Sequence, residues 1–224
     1  MAVTDEAIEG IKEMIVSGRL SPGDRLPPEK ELSEALGLSR SSLREAVKAL
    51  AVIRVLDVRR GDGTYVTSLE PRMLLEAMSF VVDLHQDDSV LEIFEVRRIL
   101  EPAAAELAAH TADEQDISDL EQMLESVPSG PDVEALVSHD IEFHRRIALS
   151  TGNSYLTGLL DSLSGPTVRA RVWRGITETG STPRTIGEHR GIVEAMRRRD
   201  GQLANALMVA HVAGIEQWLK AAKA

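Results

Sequence analysis

Residues 27–52 read PPEKELSEALGLSRSSLREAVKALAV, and the pattern of that stretch decides the architecture of the N-terminal third. Pro27 and Pro28 stand at the head of a short helix that buries Leu32, Ala35 and Leu36 and stops at Gly37. Proline is tolerated at a helix start, and glycine takes the left-handed conformation at a helix end. Two residues on, Ser39 is an N-cap for a helix running to about Val52, with Leu43, Val47 and Leu50 facing inward. Upstream, Ile8, Ile11 and Ile15 recur at helical spacing between Ala7 and Ser17, before Gly18 and a Ser21-Pro22-Gly23-Asp24 turn. Downstream, the β-branched stretches Val55 to Val58 and Thr64 to Val66, joined by Arg59-Arg60-Gly61-Asp62-Gly63, predict a hairpin.

Three short helices followed by a hairpin make a winged helix-turn-helix. A helix fits the major groove of duplex DNA, and a basic wing reaches the phosphates or the minor groove beside it. The start of the third helix carries Ser39, Arg40, Ser41, Ser42 and Arg44. Its two guanidinium groups can read guanine bidentately, and its three hydroxyls suit phosphates. Charge agrees with that division. Residues 19–68 carry a net +2 and the remainder −13, within a chain of 224 residues and net charge −11. The acidic total, which taken whole argues against a nucleic-acid partner, therefore belongs almost entirely to the C-terminal part.

Beyond a short polar join at Thr67 to Pro71 the pattern is helical to the end. Ser89-x-x-Glu92 and Thr111-x-x-Glu114 predict capping boxes opening helices of roughly 20 and 13 residues. Pro128 to Pro131, Gly152-Asn153, Gly165-Pro166, the Gly180 to Pro183 loop and Asp200-Gly201 predict the remaining breaks. The fold class is thus mainly α, a winged helix-turn-helix over 1–68 joined to an all-helical domain over 69–224. No cysteine is present, which excludes disulfides, thiolate zinc sites and cysteine nucleophiles. The acidic N-terminus and the lack of a long apolar run predict a cytoplasmic chain without a membrane span.

Six histidines are few enough to examine singly. Asp140 and His144 lie four apart on one helical face. His189 and His211 stand at equal distances on either side of Asp200, which puts them at one depth in an antiparallel helix pair. Together the four could offer an oxygen and three imidazole nitrogens to a divalent transition metal. Hydrogen-bonded core or surface histidines account for the same spacing. His85, His110 and His139 carry no such pattern.

Gly23-Asp24-Arg25-Leu26-Pro27-Pro28-Glu29-Lys30-Glu31-Leu32, Leu38 to Ala46 and Gly61-Asp62-Gly63-Thr64-Tyr65-Val66 resemble the GntR family of bacterial transcription regulators over about residues 7–67. The resemblance implies DNA contacts at Lys30, Arg40 and Arg44, hydroxyls on phosphates, and the wing tip Arg60-Gly61 in the minor groove. Lys30 replaces a more usual arginine, which keeps the charge and loses the bidentate fork.

Residues 72–220 resemble the FCD effector domain of the FadR subfamily, through Glu95 to Pro102, Asp140-x-x-Phe143-His144-Arg145, Gly152-Asn153-x-Tyr155-Leu156, Glu188-His189-Arg190 and Asp200 to His211. Its metal-binding branch implies Asp140, His144, His189 and His211 as ligands, with zinc the first candidate and nickel and manganese the others. A small organic acid is implied beside or on the metal. Arg97, whose helix position matches an effector-pocket arginine of relatives, together with Arg169, Arg171 and the amide of Asn153, would hold its carboxylate.

The resulting expectation is a homodimeric regulator, most simply a repressor, that binds a short palindromic duplex and answers to the acid. A metal-dependent hydrolase and a metal-free regulator of larger acyl ligands are the alternatives. Against the hydrolase, the sequence has no phosphate-binding glycine loop and no nucleophile elbow.

Overall fold

The computed structural model describes residues 3–70, 89–127 and 132–223. The chain divides into two compact units between Ala77 and Met78, inside a stretch that lies outside the described residues. The Ser89 capping side chain and the Pro128–Pro131 break also lie outside them.

In the N-terminal unit, helices α1 (Val3–Val16), α2 (Glu29–Leu36) and α3 (Arg40–Val52) precede strands β1 (Leu56–Arg59) and β2 (Gly63–Val66). The strands pair antiparallel, from Leu56 opposite Val66 to Arg59 opposite Gly63. Ile11, Met14, Leu20, Leu26, Leu32, Leu43, Leu50, Leu56 and Val66 form one core. Ala35, expected inside, is exposed. Gly37 ends α2 with φ 67°, and the Ser39 side chain accepts from Ser42 N to start α3. These two caps leave only three residues between α2 and α3 and so fix the angle at which α3 leaves the unit. Gly63 serves a different purpose. A Cβ there would come within 2.4 Å of Arg25 Nε, so the missing side chain is what lets Arg25 cross the wing.

The second unit is all helical: α4 (Ser89–Thr111), α5 (Glu114–Glu125), α6 (Val133–Ser150), α7 (Ser154–Thr177), α8 (Ser181–Arg197) and α9 (Gly201–Lys223). α4 packs along α9 and also touches α6, α7 and α8. Phe94, Ala105, Leu120, Phe143, Ile147, Ile192, Met196, Met208 and Ile215 belong to the core they share.

Three expected boundaries are corrected. The box that opens α5 is Asp113 with Asp116, each side chain accepting from the other's backbone N–H. Aspartate is a strong N-cap, and the Thr111 hydroxyl is used instead to donate to Leu107 O and Ser150 O. Gly165-Pro166 breaks nothing, since α7 runs through it. The hydroxyls of Ser162, Ser164 and Thr167 donate to the carbonyls of Leu159, Leu160 and Ser164 around the proline. Thr167 is fully buried against the rest of the bundle. Tertiary packing thus holds the helix together where local sequence would end it. Gly180 to Pro183 likewise contributes only the cap residue Gly180, with α8 starting at Ser181.

Candidate functional site

On the N-terminal unit, the first turn of α3 exposes Arg40 and Ser41, and Lys30 and Arg60 are exposed on α2 and at the wing tip. Ser39 Oγ lies 2.9 Å from Ser41 Oγ and 2.8 Å from Ser42 Oγ, so the three hydroxyls form one cluster at the helix start. Arg40, Arg44 and Lys48 recur every four residues, a basic stripe opposite the buried Leu43, Ala46 and Leu50. The side chain of Arg44 is 65% exposed and its Nε lies 2.7 Å from Glu29 Oε1. On the wing, Arg59 stacks on Tyr65 at 4.2 Å and pairs with Asp57. Tyr65 in turn donates to Asp62 across the turn that presents Arg60 and Gly61.

On the C-terminal unit, α6 supplies Asp140 and His144, α8 His189, and α9 His211; all four are buried. One ligand atom from each lies within 4.8 Å of the others. His144 Nε2 is 3.2 Å from His211 Nε2, and His189 Nε2 is 3.3 Å from His211 Nε2. Asp140 Oδ1 stands 3.3 Å from His189 Nε2, 3.6 Å from that of His144 and 3.8 Å from that of His211. This oxygen accepts no hydrogen bond, although it is buried. A buried carboxylate oxygen without a donor is costly, and imidazole nitrogens facing one another need a proton or a cation between them. Three imidazoles and one carboxylate form the donor set that suits a divalent transition metal.

The far sides of the rings are held as metal-ligating histidines usually are. His144 Nδ1 faces Glu101 Oε2 at 2.9 Å, and His211 Nδ1 faces Glu188 Oε2 at 2.7 Å. Protons on both Nδ1 atoms turn both Nε2 lone pairs to the centre. His189 is oriented differently, by stacking on Phe143 with ring centroids 3.7 Å apart. His139, its neighbour in sequence Asp140 notwithstanding, points away and bonds Met123 O.

Titration follows this layout. Burial pushes Asp140 up, but the Arg171 charge, and next the His144 and His189 imidazoles that face it, hold it well below the usual carboxylate range. Burial pushes His189 down to about 3. His211 is also lowered, by burial and then by the charge of His144, against the Glu188 bond. His144 goes the other way, because Glu101 and Asp140 together outweigh burial. One imidazole therefore collects positive charge at a centre lined by two carboxylates.

Two of the expected effector residues border this centre. Arg97 is buried on α4, donating from Nε to Glu101 at 2.5 Å and from Nη1 to Thr167 at 3.4 Å, with Nη2 unpaired. Arg171 is buried on α7 with Nη1 2.8 Å from Asp140 Oδ2, yet none of its three nitrogens makes an aligned hydrogen bond. Burial, and next the charge of Arg97, lower Arg171 to about 10. Arg171 and Asp140 line a small cavity of about 30 Å³ with Arg174, Ser181 and Thr185. Arg169 is exposed on the other side of its helix. Asn153 is the N-cap of α7, its Oδ1 accepting from Tyr155 N and Leu156 N. That duty spends the amide oxygen on the helix start and leaves the Nδ2 donors as the part of the amide that can meet a carboxylate.

Glu101 and Glu188 carried no expected role. Glu101 had a readable signal, four residues after Arg97 on one helix face. Glu188 had none, because its partner is 23 residues away across a helix hairpin.

Residues 92–214 match the FCD domain, and residues 3–66 match the bacterial regulatory proteins of the gntR family. The chain is 32% identical to the HTH-type transcriptional regulator LutR of Bacillus subtilis, over 92% of its own length and 96% of that protein. It is 30% identical to the galactonate operon transcriptional repressor of Escherichia coli, over 97% and 96% of the two lengths. Among solved structures it is similar to a GntR protein of Streptococcus agalactiae, with a TM-score of 0.75 and 26% identity over 96% of this chain and 99% of that one.

Proposed function

Because the chain belongs to the GntR family of bacterial regulatory proteins and carries an FCD domain, its activity is DNA-binding transcription regulation and not catalysis; we propose that a small organic acid, bound at a metal in the helical unit, sets its operator affinity. In this reading residues 1–68 bind duplex DNA and residues 69–224 bind the effector and form a homodimer in the cytoplasm. No helix among the described residues is long and apolar enough to cross a membrane.

Asp140, His144, His189 and His211 would hold the ion and leave coordination positions open, with zinc the first candidate and nickel and manganese the others. When bound, the metal supplies a Lewis-acidic position for a carboxylate oxygen. Arg97 and Arg171 bind the rest of the carboxylate and Glu101 keeps Arg97 and His144 in register. The observation that carries the reading is the coincidence of an undonated buried Asp140 oxygen with two buried guanidinium groups that keep N–H donors without an aligned acceptor, Nη2 of Arg97 and the three nitrogens of Arg171. Anion and cation together satisfy what neither satisfies alone. Such a polar, small-volume centre favours a compact acid over a long acyl ligand. The name of the galactonate operon repressor adds support, galactonate being a hydroxylated carboxylate.

On DNA, Arg40 and Arg44 would read bases, Lys30 and the Ser39, Ser41 and Ser42 hydroxyls would meet phosphates, and Arg60-Gly61 would enter the minor groove. A homodimer would read a short palindrome. Effector shifts operator affinity only as far as it binds the DNA-competent and incompetent forms unequally, and DNA shifts effector affinity by the same factor. A thermal-shift screen of organic acids on metal-loaded and chelator-treated protein tests the proposal. It expects at least one hydroxycarboxylate to raise the midpoint of the loaded form only, since a ligand of the folded state stabilises it. No stabilising acid in either form would overturn it.

A further inference from the structure

We propose that Glu29 is a positioning residue for DNA readout, holding the Arg44 guanidinium by its Nε edge so that the Nη1–Nη2 edge is presented to a guanine. The inference rests on the assignment of Arg44 to base reading made above. Arg44 Nε lies 2.7 Å from Glu29 Oε1. That oxygen is itself buried and accepts no aligned hydrogen bond, so the contact is a short-range ion pair, and the Arg44 side chain is 65% exposed. The Glu29 side chain is 36% exposed, so one carboxylate oxygen is enclosed while the arginine reaches further out.

The two residues come from different elements. Glu29 is the first residue of α2 and Arg44 lies in the second turn of α3. Their approach is set by the shared burial of Leu32 and Leu43 and by the caps at Gly37 and Ser39, not by a local sequence pair. Both line a groove of about 610 Å³ between α3 and the wing, together with Arg25, Lys48 and Gly63. Arg40 and Arg60 form no ion pair among the described residues, so Arg44 alone of the three is anchored.

A guanidinium carries its donors on a rigid plane, and the edge left free once Nε is engaged is the Nη1–Nη2 pair, the one that can meet guanine O6 and N7 together. Anchoring also removes rotamer freedom before DNA arrives, so less is lost on docking.

A plainer role exists for Glu29, a carboxylate in the first turn of α2 favoured by the helix dipole. The two roles predict opposite signs. An acid that only stabilises α2 repels phosphates, and its neutralisation tightens binding to any duplex. A positioning acid is needed for the selected duplex and not for others.

The experiment uses the full chain, a duplex obtained by in vitro selection and a scrambled duplex of equal length, with E29Q, R44A and the double variant titrated by fluorescence anisotropy at one salt concentration. We expect E29Q to weaken the selected duplex about tenfold while leaving the scrambled one unchanged or tighter. In the R44A background E29Q should cost nothing further. E29Q that binds the selected duplex as well as the parent, that loses both duplexes equally, or that costs as much without Arg44 as with it overturns the proposal. If R44A itself leaves the selected duplex unaffected, the base-reading assignment falls and the positioning role with it. A sensitive R44A beside an insensitive E29Q removes the positioning role alone.

Discussion

His144 Nε2 lies 3.2 Å from His211 Nε2, and each of these rings turns its other nitrogen onto a carboxylate, Glu101 for His144 and Glu188 for His211. Four helices are needed to make that arrangement, since Glu101 comes from α4, His144 from α6, Glu188 from α8 and His211 from α9. The centre therefore reports on the packing of the whole helical unit, and a ligand that bears on it bears on that packing.

Glu188→Gln keeps the volume and removes the acceptor charge that fixes the His211 tautomer. Metal affinity should fall by about 10–100-fold, as for other outer partners of ligating histidines. Titration against a competing chelator measures it, and an unchanged affinity would show that the 2.7 Å contact has no bearing on the metal.

Acidification has a defined sign. His189 is held near 3, and His211 is lowered too, so the unfolded chain takes up protons that the folded chain refuses as pH falls from 6.5. Their stabilisation is present above that value and drains away toward pH 3. His144, raised by Glu101 and Asp140, opposes them while no metal is bound. Bound metal keeps all three imidazoles unprotonated, so the thermal midpoint should fall more steeply with acid in the loaded form than in the chelator-treated form. Equal slopes in the two forms would be inconsistent with His144 as a ligand.

Arg40 and Lys30 should separate base reading from phosphate binding. Arg40→Ala should cost about 1–3 kcal/mol on a selected duplex and relax preference at one base pair. Lys30→Ala should weaken all duplexes alike and lower the slope of log affinity on log salt by about one. A gel-shift series at several salt concentrations distinguishes them.

Arg199 ties the α8–α9 turn to the end of α4. It adopts φ 59°, and its Nη1 donates to Ala112 O at 2.5 Å, with Ala109 O and His110 O at 3.3 and 3.4 Å. Arg199→Ala should lose about 1–3 kcal/mol from these bonds. Arg199→Gly should be about 1 kcal/mol more stable than Arg199→Ala, because glycine takes the left-handed backbone freely. Urea unfolding gives both values.

The N-terminal unit was legible because its signals are local: Gly37, Ser39 and the glycine-bearing wing turn each act within a few residues. Helix spacing also brought Asp140 and His144 onto one face, and the symmetry about Asp200 brought His189 and His211 to one depth. Gly165-Pro166 misled because packing within the bundle, including the full burial of Thr167, carries the helix through the proline, which no local pattern announces. Thr111 misled because a stronger cap, Asp113, stood two residues further on. Asn153 was legible as a break but not as a cap with its amide oxygen already used. Glu188 and the Glu29–Arg44 pair join residues from separate elements, and contacts of that kind become visible only once the helices are packed.

The metal underlies the rest of the account, and elemental analysis of the full chain, purified without chelator and without a metal-affinity column, tests it most directly. The account predicts about one equivalent of a divalent transition metal, lost in His144→Ala and His211→Ala while the chain stays folded. Less than about a tenth of an equivalent in the parent protein, with none taken up from added zinc, nickel or manganese, would contradict it.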